Sequence, residues 1–458
     1  MSESDQKRRV SLHGQWSSHL AFVLAVSGSA VGLGNIWKFP YIAGVNGGGA
    51  FVLVYLVCVF AIGLPIMMSE ILLGRRGRRN PVATMALLGE EEGGTRHWGI
   101  VGVIGVAAGF FILSYYSVIA GWVVAYIFEG ASGAFEGADT DQVGQIFSRI
   151  SSSWIVTGFW HTLFMTLTVF VVAKGVEKGL ERAVRILMPA LIGMLLLLLV
   201  YSMIAGDFAR GLAFLFEPKF SELTGSSVLV ALGHAFFTLS VGMGAVMAYG
   251  AYLPAESSIG ATSVAVVIAD TAIAIVAGLV IFPIVFANGL DPAAGPGLIF
   301  QSLPLAFGQL PGGSIVASVF FLLLSFAAWT SAISLMEPAV VWLVERQEGL
   351  PRYVAASAVG VLIWLLGFLT VFSTNVLSEF TFFKGTFFEN IDFVTSNIVL
   401  PIGGLAIVVF AGWVMSANST ADELDPSVGI GYRLWRLSAR FIAPIAVLFI
   451  FLNAVGVL

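Results

Sequence analysis

Apolar residues run in long blocks along this chain, and polar residues gather in short stretches between them. A crossing helix needs about 20 mostly apolar residues. Eleven blocks reach that length, near residues 18–43, 49–73, 98–128, 153–173, 184–206, 228–252, 260–287, 313–344, 353–372, 391–416 and 434–457, here numbered spans 1 to 11. The clearest, RILMPALIGMLLLLLVYSMIAGD, has no charge between Arg185 and Asp207. The pattern predicts an all-α polytopic membrane protein, because a helix satisfies its own backbone polar groups in lipid.

Composition agrees. Of 458 residues, 58% are hydrophobic and 11% charged, against roughly 25% charged in an average soluble domain. The bilayer is therefore the expected solvent partner. A net charge of −5 gives no reason to expect nucleic acid. The single cysteine, Cys58, excludes an intramolecular disulfide and any metal site built from several cysteines. No signal-peptide cleavage pattern precedes span 1, so it is expected to be retained. No P-loop, His-Glu-x-x-His or Gly-x-Ser-x-Gly motif points to an enzyme.

Loop charge sets orientation, since cytoplasmic loops hold the excess of Lys and Arg. The amino terminus carries Lys7, Arg8 and Arg9, the loop after span 2 Arg75, Arg76, Arg78 and Arg79, and the loop after span 4 Lys174, Lys178, Arg182 and Arg185. Between spans 3 and 4 lie Glu129, Glu136, Asp139 and Asp141. The amino terminus is expected inside and, with an odd number of spans, Leu458 outside.

Two spans read as broken. Span 1 contains SGSAVGLGNIWKFP (27–40), and span 6 contains AFFTLSVGMGAVMAY (235–249). Clustered glycines let a chain leave helical geometry, although close packing through small residues uses glycine too. The two segments lie five spans apart, as in a repeat of spans 1–5 and 6–10. Paired interruptions at matching places in two halves point to a transporter's binding site. The expected organisation is a cytoplasmic segment 1–17, a first five-helix repeat 18–210, an inverted second repeat 228–417, and an eleventh helix 433–458.

Polar groups at membrane depth narrow the site. Asn35, Thr238, Ser240, Asp270, Thr330 and Ser331 all fall within apolar blocks. An acid at that depth costs about 2.5–3.5 kcal/mol on insertion scales. Asp270 has no basic neighbour in sequence and needs a cation, a proton or a distant Lys or Arg. Ser and Thr in membrane helices often bond back to their own helix, so Thr330 and Ser331 alone say little. Glu70, near the end of span 2, reads as structural.

SAVGLGNIWKFPY, NGGGAF (46–51), FFTLSVGMGA and FAAWTSAISLMEP occur in that order. By these motifs the chain resembles the neurotransmitter:sodium symporter family over nearly its whole length. The resemblance implies the LeuT fold, with a five-plus-five inverted repeat and helices 1 and 6 broken. It implies import of a small amino acid with sodium, by alternating access, in a bacterial inner membrane. Two sodium ions are implied. The first would lie among the Ala30 carbonyl, Asn35, Thr238, Asp270 and the substrate carboxylate. The second would lie among the carbonyls of Gly28, Val31 and Ala327 and the hydroxyls of Thr330 and Ser331. Many relatives carry asparagine at the position of Asp270; the fixed acid here implies that chloride is not required.

The same motifs imply a substrate site. Gly32 stands where amine carriers of the family have an aspartate. The Leu33 and Gly34 amides and the Tyr116 hydroxyl would hold the substrate carboxylate, and the carbonyls of Ser29, Phe237 and Thr238 its amino group. Ile112, Phe237, Ser240, Met243 and Leu335 would line the side-chain pocket, which favours a hydrophobic or aromatic amino acid. An outer gate of Lys38 and Asp392, with Tyr116 closing on Phe237, and an inner gate of Trp16, Tyr252 and Glu345 are implied. His13 stands at the usual inner-gate arginine, and His234 at the usual glutamine facing the outer gate. Carriers of GABA-like or taurine-like solutes, a proton-coupled carrier, a channel and a non-transporting sensor are the rival readings. A monomer or weak homodimer is expected.

Overall fold

The computed structural model describes residue 9 and residues 11–293, 297–424 and 429–454. Lys7 and Arg8, which enter the expected orientation, and Leu458, whose side it assigns, lie outside the described residues. Every extended element among the described residues is helical, apart from two isolated β-bridges. Among the described residues nine helices are long and apolar enough to cross a membrane, and ten when a pair bent by 51°, His19–Ala30 with Gly34–Val45, is taken as one. That pair is span 1. Spans 2 to 5 are Gly49–Gly77, Arg96–Ala131, Trp154–Ala173 and Val176–Ala205. Spans 7 to 11 are Ile259–Ala287, Gly313–Arg346, Arg352–Ser373, Phe387–Val414 and Gly429–Asn453. Span 6 has two shorter pieces, Gly225–Thr238 and Ala245–Gly250, and neither meets the length of a crossing helix.

Span 5 begins earlier than its apolar block suggests, because a turn carrying Lys178 and Arg182 is helical too. Its only mid-helix proline, Pro189, sits inside the helix, as Pro283 does in span 7 and Pro338 in span 8. Neighbouring helices can re-satisfy the backbone groups such prolines free. The connections are short helices with legible caps. Asp139 accepts from the Gln142 amide at 2.8 Å while the Gln142 side chain accepts from the Asp139 amide at 2.9 Å. Thr224 and Ser227 form the same reciprocal box ahead of span 6. Such caps supply partners for the first amides of a helix, which have none within it.

Spans 3 and 8 are the two longest helices and pack along each other at the centre. Spans 1 and 6 lie against this pair, and span 7 packs against spans 1, 2 and 5. The periphery is apolar and open: Leu197, Ile204, Phe170 and Ile315 are all exposed. Such a surface suits hydrocarbon, and exposed Trp154, Trp413 and Tyr353 near helix ends suit the headgroup level. NGGGAF makes the turn between spans 1 and 2. Gly48 has φ +63°, and a Cβ there would lie 2.3 Å from the Phe214 carbonyl oxygen, so only glycine fits.

Candidate functional site: the gap between two broken helices

Each break has a local cause. In span 1, Val31 leaves helical geometry with ψ 102°, and the helix resumes at Gly34. In span 6, Ser240, Gly242 and Gly244 all have positive φ, between 53° and 86°. L-residues do not propagate a helix in that region, so the alternation ends the first piece and sets the angle of the second. The Gly242 amide donates to the buried Glu70 carboxylate. Glu70, read as structural from the sequence, thus anchors the unwound stretch. The lone acid in span 2 was the available signal, but nothing in sequence pairs it with residue 242.

The two gaps face each other and enclose one cavity. It is lined by Ser29, Ala30, Gly32, Leu33, Gly34, Ile112, Tyr116, Phe237, Ser240, Met243, Ser331 and Leu335, which includes every expected substrate contact except Thr238. Its free room is about 30 Å³, space for roughly two waters. An amino acid needs the walls to part. The Leu33 amide donates to the Tyr116 hydroxyl at 3.3 Å, and the Ser240 hydroxyl to the Ser29 carbonyl at 2.9 Å. These polar groups serve one another across the cavity.

Beside it lies a buried polar knot. The Asn35 amide donates to Asp270 Oδ1 at 2.7 Å, to the Asp270 carbonyl at 3.1 Å and to Thr238 Oγ1 at 3.1 Å. The Thr238 hydroxyl donates to the Asp270 carboxylate at 3.1 Å, and the Gly32 amide to Asn35 Oδ1 at 3.1 Å. Asn35 and Asp270 are both 0% exposed. Spans 1, 6 and 7 thus each send one polar side chain to one point. A hard cation takes oxygen ligands; Thr238 and Asp270 present theirs to this point, while Asn35 faces it through Nδ2 and keeps Oδ1 on the Gly32 amide.

A second set forms where span 8 meets the span 1 break. The Ser331 hydroxyl lies 3.2, 3.3 and 3.5 Å from the carbonyl oxygens of Ser29, Val31 and Gly28. Thr330 bonds back to the Ala327 carbonyl at 3.0 Å, and a Cβ on Gly28 would lie 3.3 Å from Thr330 Cβ. All five expected residues therefore meet there. Ser29, assigned by sequence to the substrate amino group alone, also borders this set. Ser334, absent from the sequence reading, extends it by accepting from the Ser29 hydroxyl at 2.8 Å.

The two ends of the path differ. At one end Trp16 is 2% exposed, with its indole donating to the Tyr249 carbonyl at 3.2 Å and its amide to the Tyr252 carbonyl at 3.1 Å. Tyr252 donates to Glu337 at 3.0 Å, and Glu337 pairs with Arg352. Glu345 accepts from the Asn80 amide and side chain, each at 2.8 Å, and its Oε1 is 3.0 Å from His13 Nε2. Sequence reasoning placed Trp16, Tyr252, Glu345 and His13 at this end but missed Glu337 and Arg352. At the other end the expected Lys38–Asp392 pair is not formed. The Lys38 ammonium lies 4.2 Å over the Phe237 ring, and Asp392 accepts from Ser396 at 2.9 Å, its helical neighbour. No Tyr116–Phe237 ring contact closes that end among the described residues. The His234 ring packs against those of Phe39 and Tyr55, which also touch each other.

Two broken helices, a shared cavity and buried polar clusters within apolar spans define a multi-pass carrier of small molecules. Residues 13–138 and 143–458 match the sodium:neurotransmitter symporter family, and the chain belongs to that family. It is accordingly a sodium-dependent transporter and not an enzyme. The sodium-dependent transporter YhdH of Bacillus subtilis is 39% identical over 97% of this chain and 98% of its own length. The sodium- and chloride-dependent taurine transporter of Bos taurus is 24% identical over 91% of this chain and 73% of its own. Among solved structures, MhsT in complex with L-phenylalanine superposes with a TM-score of 0.88, at 44% identity over 96% of this chain and 99% of that one.

Proposed function

We propose that this protein imports a hydrophobic or aromatic L-amino acid together with two sodium ions by alternating access. The cavity between the broken spans carries this reading, because backbone and hydroxyl groups of Ser29, Leu33, Gly34 and Tyr116 line it together with the apolar side chains of Ile112, Phe237, Met243 and Leu335. Leu33, Gly34 and Tyr116 can receive a carboxylate, and the carbonyls of Ser29, Phe237 and Thr238 an ammonium. Ile112, Phe237, Met243 and Leu335 face the side chain. Methionine adapts to varied apolar shapes. The complex of MhsT with L-phenylalanine supports the same choice.

The first sodium sits in the Asn35–Thr238–Asp270 knot with the Ala30 carbonyl and the substrate carboxylate. The second joins the carbonyls of Gly28, Val31 and Ala327 to Thr330 and Ser331. Span 6 counts as a crossing, for eleven in all. The Trp16 end faces the cytoplasm of a bacterial inner membrane, with the amino terminus inside. In the cycle, spans 1, 2, 6 and 7 rock against spans 3, 4, 8 and 9. Sodium at the second site ties span 1 to span 8 and holds the Trp16 end shut. Substrate pulls the cavity walls together, and Lys38 leaves Phe237 for Asp392. Loss of sodium to the cytoplasm then frees Trp16.

Energetics make the stoichiometry measurable. With about 100 mV and a tenfold gradient, two ions supply roughly 7 kcal/mol. That supports about 10⁵-fold accumulation of a neutral zwitterion, where one ion supports only a few hundred-fold. Proteoliposomes with an inward sodium gradient and labelled amino acids, GABA and taurine test the reading. Saturable uptake of an apolar amino acid, lost in potassium, is expected. Preference for GABA or taurine would replace the substrate class, and binding without accumulation would make the protein a sensor. Exchanging chloride for gluconate should leave uptake unchanged, since Asp270 supplies the fixed negative charge.

Thr330→Ala with Ser331→Ala should raise the sodium concentration for half-maximal uptake about tenfold, as loss of two ion-dipole contacts implies. Unaltered sodium dependence would remove the second site as drawn.

A further inference from the structure

The arginines after span 2 read in sequence as an orientation signal for the membrane, yet two of them are buried. Arg75 and Arg78 are 7% and 4% exposed. Arg78 has φ +57°, an uncommon conformation for a side chain of its size. Its guanidinium donates to the carbonyls of Ala251 at 3.1 Å and Leu253 at 2.5 Å, just past the end of span 6. Arg75 donates to the Ser257 carbonyl at 2.5 Å and lies 3.5 Å from that of Ala255, ahead of span 7. These bonds tie the ends of spans 2, 6 and 7 together.

Arg75 has a further partner outside that group. Its Nε donates to Glu423 Oε2 at 2.6 Å, and its Nη2 donates to the Glu423 carbonyl. Glu423 belongs to the helix Ala417–Leu424, which connects span 10 to span 11. The Glu423 side chain is 11% exposed. Arg76 adds a hydrogen bond to Ser419 at 3.1 Å. Just before the start of this helix, the Ser416 amide donates to Glu92 at 3.0 Å, in the helix Pro81–Gly93. A planar guanidinium gripping both the carboxylate and the backbone of one residue is a strong and directional contact.

We propose that the helix Ala417–Leu424 is a lock on the inner side of the transporter. Glu423 holds Arg75, and through it the joined ends of spans 2, 6 and 7, while Trp16 is seated. The Arg75–Glu423 contact parts when those spans rock to open the cytoplasmic path. The lock rests on the alternating-access reading above. It adds a site of control remote from substrate and sodium, on a segment outside both the moving and the scaffold spans.

The test is amide hydrogen exchange on the full-length protein in lipid nanodiscs, read over residues 14–20 and 249–258, in sodium and in potassium. Glu423→Gln keeps the side-chain shape and removes the charge. In sodium it should speed exchange over both segments about tenfold, the effect of losing a charged hydrogen bond, towards the wild-type rate in potassium. Asp422→Asn is the control, since Asp422 is 62% exposed and 3.7 Å from Arg76; it should leave exchange unchanged. Wild-type exchange in Glu423→Gln under both ions would overturn the lock, whatever happens to the unfolding temperature. Should that variant fail to fold, Glu423→Asp keeps the charge, shortens the reach and is judged by the same comparison. Equal exchange in sodium and potassium for the wild type would sink alternating access instead, while a lock would still separate Glu423→Gln from it.

Discussion

Gly32→Asp should lower uptake of a hydrophobic amino acid by about a hundredfold or more, on the scale of an unpaired buried charge. Two effects add. Any Cβ at residue 32 would lie 2.5 Å from Ser331 Oγ and 3.0 Å from the Tyr116 hydroxyl, in a wall with no slack. The carboxylate would also occupy the place proposed for the substrate's own carboxylate beside the first sodium. Gly32→Ala separates the two, because it carries the steric part alone. Binding of the amine that corresponds to the substrate without its carboxylate gives a second readout: Gly32→Asp should retain it better than amino-acid binding. Wild-type uptake in Gly32→Asp would contradict the carboxylate placement.

Asn35→Ala should abolish sodium-dependent substrate binding. Asn35 donates to Thr238 and to both the carbonyl and the carboxylate of Asp270, and it receives the Gly32 amide. Its loss strips a buried carboxylate of a partner and frees the turn at the span 1 break. Breaking such a contact costs about 3–5 kcal/mol when a charge is left buried. Sodium affinity, read by equilibrium binding of labelled substrate across a sodium titration, should fall beyond a hundredfold. Thermal unfolding in detergent separates this from misfolding. Unchanged sodium affinity in a folded Asn35→Ala would remove the first site as drawn.

The conformation described here bears on both measurements. Trp16 is seated while Lys38 and Asp392 stand apart, so the path is shut at one end and unlatched at the other. Hydrogen bonds span the cavity: the Leu33 amide donates to Tyr116, and the Ser240 hydroxyl to the Ser29 carbonyl. On the proposed function, the carboxylate and ammonium of an amino acid would replace those bonds and so move spans 1 and 6. Binding can shift a conformational equilibrium only through such differential contacts.

Much of the site was legible along the chain. The apolar blocks located the helices, because a helix of about 20 residues is the simplest way to cross hydrocarbon. Glycines at 28, 32, 34, 242 and 244 marked the two breaks, and Asn35, Thr238 and Asp270 stood out as polar groups in apolar blocks. Boundaries were less legible. Span 5 starts within a charged turn, and span 6 is two pieces too short to register as one helix. Hydrophobicity reports a helix's surroundings and not where its hydrogen-bond ladder begins or fails.

Sequence alone determined the class of the molecule, its broken spans and most of the residues around the cavity, since these follow from local pattern and motif. Tertiary structure decided the partnerships. Glu70 anchors Gly242, Glu337 takes Tyr252 and Arg352, Lys38 lies on Phe237 instead of pairing with Asp392, and Arg75 reaches Glu423. Each joins residues far apart in the chain whose approach depends on how whole helices pack. A charged side chain shows in the sequence that it needs a partner; only packing determines which one comes within reach.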